Sequence, residues 1–279
     1  MLVLDIGGTF IKYARADEKG CILEETVRQI PSEAASYEEF TEILSKVIAD
    51  GERDEKVALA CVSVPGPFDF EQGISLMQHK FRAIYQRSIR TPFEQAGIHV
   101  SFVHDSTAFM LGEATDGVLM EKKAPCCVML GTGLGFAFMR DARVCVNEKR
   151  TPAFTLWNMP WKEGIAEDYV STRAIQKLYG NNCPVREIAD AARSGNRKAL
   201  DAFQITGGHL SQILQTVLPK MGCDSLALGG QIAKSADLFR LELPVEWSVS
   251  RHLDDAALRG AAFFALHGSD CCEQVCRMG

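Results

Sequence analysis

The sequence predicts an α/β protein of two related lobes, and three observations carry that expectation. Two segments look like copies of one device: VLDIGGTFIKYARAD at Val3 to Asp17, and VMLGTGLGFAFMRD at Val128 to Asp141. Each runs from a short apolar strand into a glycine-threonine turn, then a second strand, then an Asp that opens another polar turn. After each copy the chain goes on in alternating helical and strand-like periodicity, so the same order of elements occurs twice. The 279 residues also exceed what one small core needs, and the length prior is two lobes of roughly 100 to 150 residues each.

The first hairpin is followed by a helix predicted from Ser36, where a capping-box pattern with Glu39 precedes Phe40, Ile43, Leu44, Val47 and Ile48, and Gly51 ends it. Val57 to Val64 reads as a buried strand that breaks at Pro65-Gly66-Pro67, and HVSFVHD as another strand ending at Asp105. Thr107 to Ala114 is helix-compatible, and Pro125 separates it from the second hairpin. Farther on, Ala166 to Tyr179, Asn196 to Pro219 and Asp254 to His267 carry helical spacing, with Gly180 and Gly268 as stops. SLALGG between the last two is a short strand ending in two glycines before a helix at about Gln231. We place the first lobe at 1–103 with 253–279 returning to it, the second at 104–252, and a ligand cleft between them.

A hydrophobic content of 47% with 24% charged residues is ordinary for a globular protein with a well-formed core. A net charge of −6 argues against nucleic acid or an anionic membrane as partner, since those surfaces reward an excess of Lys and Arg. Met1 leads straight into LVLDIGG with no basic and apolar leader, and no apolar run is long enough to span a bilayer, which predicts a cytoplasmic protein. Ten scattered cysteines do not resemble the dense framework of a small secreted domain and are read as mostly buried, reduced thiols. Cys271, Cys272 and Cys276 cluster near the end without a paired CxxC partner, and a tail is preferred to a metal site.

Both glycine turns suit phosphate. Glycine lets the backbone pass close to a ligand, so successive N–H groups can converge on an anion, while Thr9 and Thr132 add hydroxyls. Asp5, directly beside Gly7 and Gly8, would repel a naked phosphate, so it makes sense chiefly if Mg²⁺ lies between them; otherwise it is a hairpin cap. Lys12 is either a phosphate contact or a solvated strand residue. GTGLG, with Gly131, Thr132 and Gly133, lacks the dinucleotide spacing and leads into a strand, and no P-loop lysine motif occurs. Gly229 and Gly230 let a base or ribose approach, or else pack a strand tightly against a helix. Asp105 at a strand end is the candidate base that accepts a hydroxyl proton as that oxygen attacks phosphorus, or a helix N-cap. His104 touches substrate or simply ends the strand.

Taken together, DIGGT at Asp5 to Thr9, VPGPFD at Val64 to Asp69, HDSTAFMLGEA at His104 to Ala114, GTGLGFAF at Gly131 to Phe138, LALGGQIA at Leu226 to Ala233 and LRGAAFFAL at Leu258 to Leu266 resemble the ROK family of bacterial sugar kinases and sugar-responsive repressors. The resemblance spans almost the whole chain and keeps that family's order. It implies the actin-like, hexokinase-like ATPase fold, with two ribonuclease-H-like lobes closing around ATP and sugar, and a homodimer. By position, Asp5, Gly7, Gly8 and Thr9 match the first phosphate loop, Gly131, Thr132 and Gly133 the second, and Gly229 and Gly230 the adenosine loop. Asp105 matches the catalytic base for attack on the γ-phosphoryl of Mg-ATP, and Gly66 the loop beside the sugar.

The departures fall on the acceptor side. His104 stands where typical members have Asn. Their Glu-x-Gly-His sugar motif falls on Thr155, Leu156, Trp157 and Asn158, and Trp161 to Ile165 has none of the zinc-binding cysteines, so no structural zinc is expected. Glu167 alone is retained among the later sugar contacts. Trp157 and Trp161 stack on a sugar or, preferably, pack where zinc would brace the fold. A site that hydrogen-bonds sugar hydroxyls discriminates strongly, because a buried unmatched polar group costs about 1–3 kcal/mol, so these changes should alter which sugar fits and make glucose a poor candidate. The expectation is an ATP-dependent sugar kinase. A non-catalytic sugar or nucleotide sensor is the alternative, and a repressor is disfavoured because Asp5 leaves no room before it for a helix-turn-helix domain.

Overall fold

The computed structural model describes residues 1–78 and 80–275; Cys276 lies outside them. The chain opens with the expected hairpin, β1 (Leu2–Ile6) against β2 (Phe10–Arg15), and β3 (Arg28–Pro31) extends it antiparallel. Helix α1 (Tyr37–Gly51) follows; Ser36 caps it by accepting the Glu39 N–H at 3.1 Å, and the Glu39 carboxylate reaches back to the Ala35 N–H. β4 (Leu59–Val64) then pairs parallel to β1, starting two residues later than predicted. A small ribbon, β5 (Phe68–Asp69) with β6 (Ile74–Ser75), and helix α2 (Thr91–Gln95) lead to β7 (His99–His104), parallel to β4.

Helix α3 (Asp105–Asp116) crosses to the second hairpin, β8 (Pro125–Leu130) with β9 (Leu134–Arg140), which β10 (Arg143–Val146) extends antiparallel. A short ribbon, β11 (Pro160–Trp161) with β12 (Gly164–Ile165), precedes the helical segment. The single helix expected over Ala166 to Tyr179 is two, α4 (Ala166–Tyr169) and α5 (Thr172–Tyr179), because Ser171 breaks the run and caps the second. Gly180 ends α5 in the left-handed region at φ 79°. Helix α6 (Val185–Arg193) was not anticipated; α7 (Arg197–Met221) begins at its Asn196 cap and runs through Pro219. β13 (Ser225–Gly229) and β14 (Glu246–Val249) then lie parallel to β8, and the turn of chain after Gly230, expected as an ordinary helix, is 3₁₀ from Gln231 to Leu238. Helix α8 (Ala256–His267) and strand β15 (Cys272–Gln274) complete the described chain.

The two large sheets have the same topology. One runs β3-β2-β1-β4-β7; the other runs β10-β9-β8-β13-β14, with β15 added beside β10. In both, the first three strands are antiparallel and the last two parallel to the first. α1 covers the outer face of the first sheet through Phe40, Leu44 and Val47, and α5, α6 and α7 cover that of the second through Ile175, Ile188, Phe203 and Leu214. Helices α3 and α8 lie between the sheets, in a core that joins Val3 and Cys61 of the first to Cys127 and Ala137 of the second. The C-terminal segment is shared: α8 packs on β1 and β4, whereas β15 pairs with β10.

α3 and α8 meet backbone to backbone. A Cβ on Gly260 would stand 1.7 Å from the Ala108 carbonyl oxygen, and one on Gly112 2.0 Å from that of Ala256. Among the described residues no helix is long and apolar enough to cross a membrane.

Candidate active site

Parallel strands in open α/β sheets present ligands with the crevice at their carboxyl ends. Here those ends carry Asp5 on β1, Ser63 on β4 and His104 on β7, followed at once by Asp105. Register puts Asp5 beside Ser63, and Val64 beside His104. In the other sheet the corresponding ends are the turn at Gly131 to Gly133 and the pair Gly229-Gly230.

Asp105 is the first residue of α3 and His104 is its N-cap residue, with Nδ1 3.2 Å from the Ser106 nitrogen. This corrects the N-cap alternative for Asp105. The Asp105 carboxylate accepts from the Ser106 N–H at 2.6 Å and the Ser106 hydroxyl at 3.1 Å, and lies 2.9 Å from His104 Nδ1. Burial alone would raise its pKa; the neighbouring His104 and the Ser106 donors outweigh that and hold it below the usual carboxylate range. Ser106 also sits against β9, its hydroxyl 3.2 Å from where a Cβ on Gly135 would stand. The candidate base is thus ionised and fixed beside the second hairpin.

Asp5 has the opposite character. It accepts one hydrogen bond, from Ser63 Oγ at 2.8 Å. Burial pushes its pKa up to about 6 against that bond; the Asp105 charge adds to the rise, and Lys12 opposes it. A carboxylate desolvated this way, next to a second carboxylate, is suited to a cation. Among the described residues no three of His, Cys, Asp and Glu gather as a metal group. That donor set fits Mg²⁺, which is held largely by phosphate oxygens and water.

The first turn is closed by the Gly7 N–H donating to the Phe10 carbonyl at 2.9 Å, and the second by Gly131 N–H to Gly133 O at 3.1 Å. A Cβ on Gly8 or Gly131 would meet nothing within 4 Å, so both backbones lie open. Gly229 is different: its Cβ would strike the Phe109 ring at 2.1 Å, so tight strand-to-helix packing requires glycine there. Gly230 adopts φ +80° and closes against Leu130. Lys12, expected at phosphate or in solvent, donates to the Asp254 carbonyl at 2.7 Å; Asp254 also binds Lys234 and Gln231. Asp254 therefore ties the first hairpin to the segment after Gly230. Neither Ser63 nor Asp254 was singled out from sequence.

On the acceptor side, His104 packs against Gly66, whose Cβ would lie 3.3 Å from His104 Nε2. Glu167 braces the second turn: Oε2 accepts the Leu134 N–H at 3.0 Å and Oε1 an Arg173 N–H at 3.1 Å. Its own N–H donates to the Trp157 carbonyl, which sets the 155–158 segment beside it. There Thr155 Oγ1 donates to Asn158 Oδ1 at 2.6 Å, Leu156 is buried and Trp157 is 46% exposed. Trp161 takes the packing role: its Nε1 donates to His209 Nδ1 at 3.3 Å, and Tyr169 stacks edge-on against the same imidazole.

The sequence profile of the ROK family matches residues 1–148 and 162–267. The chain belongs to the ROK family. This ROK chain is 24% identical over 300 residues to the N-acetyl-D-glucosamine kinase of Aliivibrio salmonicida, covering 93% of the chain and 97% of the relative. Among solved structures it is similar to a ROK glucokinase from Streptomyces griseus in complex with glucose and AMPPNP, at a TM-score of 0.74 and 18% identity over 96% of this chain and 99% of that one. A ROK family protein from Streptococcus pneumoniae in complex with sucrose gives a TM-score of 0.79 at 21% identity, over 97% and 99%. The fold is therefore the two-lobed, actin-like ATPase fold. The family match skips 149–161, the stretch that holds Thr155, Trp157 and Asn158.

Asp5→Asn is expected to stabilise the metal-free protein at neutral and alkaline pH. The folded-state pKa, about 6, lies above the unfolded value of ~3.9, so the folded chain holds this proton more tightly. Stability is fully present below the unfolded value and is lost as pH rises through the folded one. The gain of the variant should vanish below about pH 4, as read by thermal unfolding in EDTA across pH. Parallel curves for the two proteins would sink this assignment.

Proposed function

We propose that this chain is an ATP-dependent kinase that phosphorylates a hydroxyl of an amino sugar or a related sugar derivative, with Asp105 as general base. One observation carries it: an ionised carboxylate fixed on a strand end by His104 and Ser106, with a second, desolvated carboxylate near it and an open glycine turn on each side. A sensor has no need of that pair. The curated relatives being N-acetyl-D-glucosamine kinases supports the acceptor class.

In this mechanism Gly7 and Gly131 shape the two turns through their own turn-closing N–H groups, and the amides of Gly8 and Gly133, with the Thr9 and Thr132 hydroxyls, hold the polyphosphate of ATP. Gly229 and Gly230 flank its nucleoside. Asp5 would hold Mg²⁺, and that ion when bound would supply charge neutralisation at the phosphates. Gly66, His104, Asn158 and Glu167 orient the sugar so that one hydroxyl donates to Asp105. Asp105 takes that proton as the oxygen attacks, and positioning with charge stabilisation supplies most of the acceleration. His104 positions Asp105 while its other edge, against Gly66, faces the sugar loop. The nine described cysteines are all unpaired, which supports a reducing cytoplasm.

The test is an ATP-consumption screen over hexoses, amino sugars and N-acetylated sugars. At least one N-acetylated or amino sugar is expected to turn over, with glucose poorer. Binding of sugars without turnover of any would favour the sensor instead.

A further inference from the structure

Next to the strand end that carries His104 lies a cavity of about 220 Å³, lined from both sheets. Phe102 of β7 and Phe264 of α8 wall it from one side, Val146 of β10 and Cys272 of β15 from the other. None of Asp5, Asp105, Glu167 or the glycine turns lines it. A cavity of ~150 Å³ can hold benzene, so this one has room for a ring or branched alkyl body and a small polar head.

Two polar groups in its lining have no protein partner among the described residues, the buried Thr107 hydroxyl and the guanidinium of the exposed Arg150. Thr107 is 1% exposed, and its hydroxyl has no hydrogen-bond partner. Threonines in helices ordinarily bond back to a carbonyl one turn earlier, as Thr115 does to Leu111 and Thr206 to Ala202. Thr107 stands in the first turn of the same helix as Thr115, where the residue one turn earlier, Val103, is still in β7 and offers no helical carbonyl, so its hydroxyl is left unpartnered. Arg150 is the second group. Its loop is pinned by Asn147, whose Oδ1 accepts the N–H groups of Lys149 and Thr151 and whose carbonyl accepts that of Arg150. Arg150 is held at φ 57°, in the left-handed region. Its guanidinium makes no hydrogen bond or ion pair among the described residues.

We propose that this cavity is a second ligand site, for a small organic anion with an apolar body. The anionic group sits between the Arg150 guanidinium and the Thr107 hydroxyl, and the body lies against Phe102, Phe264 and Val146. Apolar walls with a few polar groups among them are the usual make-up of a small-molecule site, and here Ser269 and Gln274 line the cavity beside Thr107 and Arg150. The positive field of Arg150 is felt at the cavity wall. The Cys271 thiol, 4.0 Å away, lowers the Cys272 pKa against the effect of burial, and the Arg150 charge adds to that.

Phenylacetate is the probe, with 2-phenylethanol as its uncharged control, and binding is read by ligand-observed NMR and by mass-spectrometric mapping of iodoacetamide alkylation. Phenylacetate is expected to bind saturably, at least tenfold tighter than 2-phenylethanol, and to slow alkylation of Cys272. Arg150→Ala, a change on an exposed loop, should weaken binding at least tenfold and abolish the protection; Thr107→Val should weaken it severalfold. Asp105→Asn should leave phenylacetate binding unchanged, since the two sites share no residue. Equal binding of acid and alcohol, no effect of Arg150→Ala, no protection of Cys272, or no saturable binding at low millimolar concentration would each overturn the proposal.

Discussion

Asp105→Asn is expected to lower kcat by about a thousandfold on the best sugar, inside the 10²–10⁴ range typical of a positioned acid-base group. The amide oxygen of Asn can still accept from the Ser106 N–H and hydroxyl, so the start of α3 keeps its hydrogen bonds and the melting temperature should barely move. What is lost is the capacity to take the sugar proton as the bond to phosphorus forms. An interaction made only in the transition state shows as an equal fall in kcat and kcat/KM, with KM nearly constant. Steady-state kinetics with the substrate from the screen decide it. A variant that retained a tenth or more of wild-type turnover would remove Asp105 from the base role.

Gly260→Ala should produce the largest loss of stability of any glycine-to-alanine change among the described residues. In an ordinary helix this change is favourable by roughly 1 kcal/mol, because alanine has the higher helix propensity. At Gly260 the added carbon would lie 1.7 Å from the Ala108 carbonyl oxygen and 2.8 Å from the Gly112 nitrogen, both main-chain atoms with no rotamer to turn away. α3 and α8 would have to separate, opening the core shared by both sheets. The expected cost is about 4 kcal/mol or more, at the upper end for point changes, seen as a lower urea midpoint or loss of soluble protein. Gly208→Ala is the matched control: it lies inside α7 with nothing within 4 Å of the added carbon, and should stabilise by about 1 kcal/mol. Similar effects at the two sites would refute the close helix crossing.

The features legible in the sequence are those that local chemistry determines. Both glycine turns, the Ser36 cap with Glu39, and the Gly180 stop depend on residues within a few positions of one another, and each stands where the spacing predicts. The break at Val170–Ser171 also had a local signal, a serine that could cap, but continuous apolar spacing concealed it. Other features depend on distant pairing. Ser63 reads as one more residue of an apolar strand until β1 and β4 align and set it against Asp5. Asp254 meets Lys12 across 242 positions, and β15 adds to a sheet begun more than a hundred residues earlier. His104 reads as a strand end and proves to be both a helix cap and the neighbour that helps keep Asp105 ionised.

The repeated strand order has a further consequence, a division of labour between two halves built alike. Asp5, two residues ahead of Gly7, answers topologically to Met129, two residues ahead of Gly131, and Asp105 after β7 answers to Ser250 after β14. Ser250 is turned inward to the buried Glu113 and offers the cleft no charge. Of these paired places, then, one half supplies two carboxylates and the other a thioether and an inward-turned hydroxyl. Exchanging a residue between them is therefore not a symmetric operation: a carboxylate brought in at Met129 would place a negative charge beside the turn to which the proposed function assigns a polyphosphate.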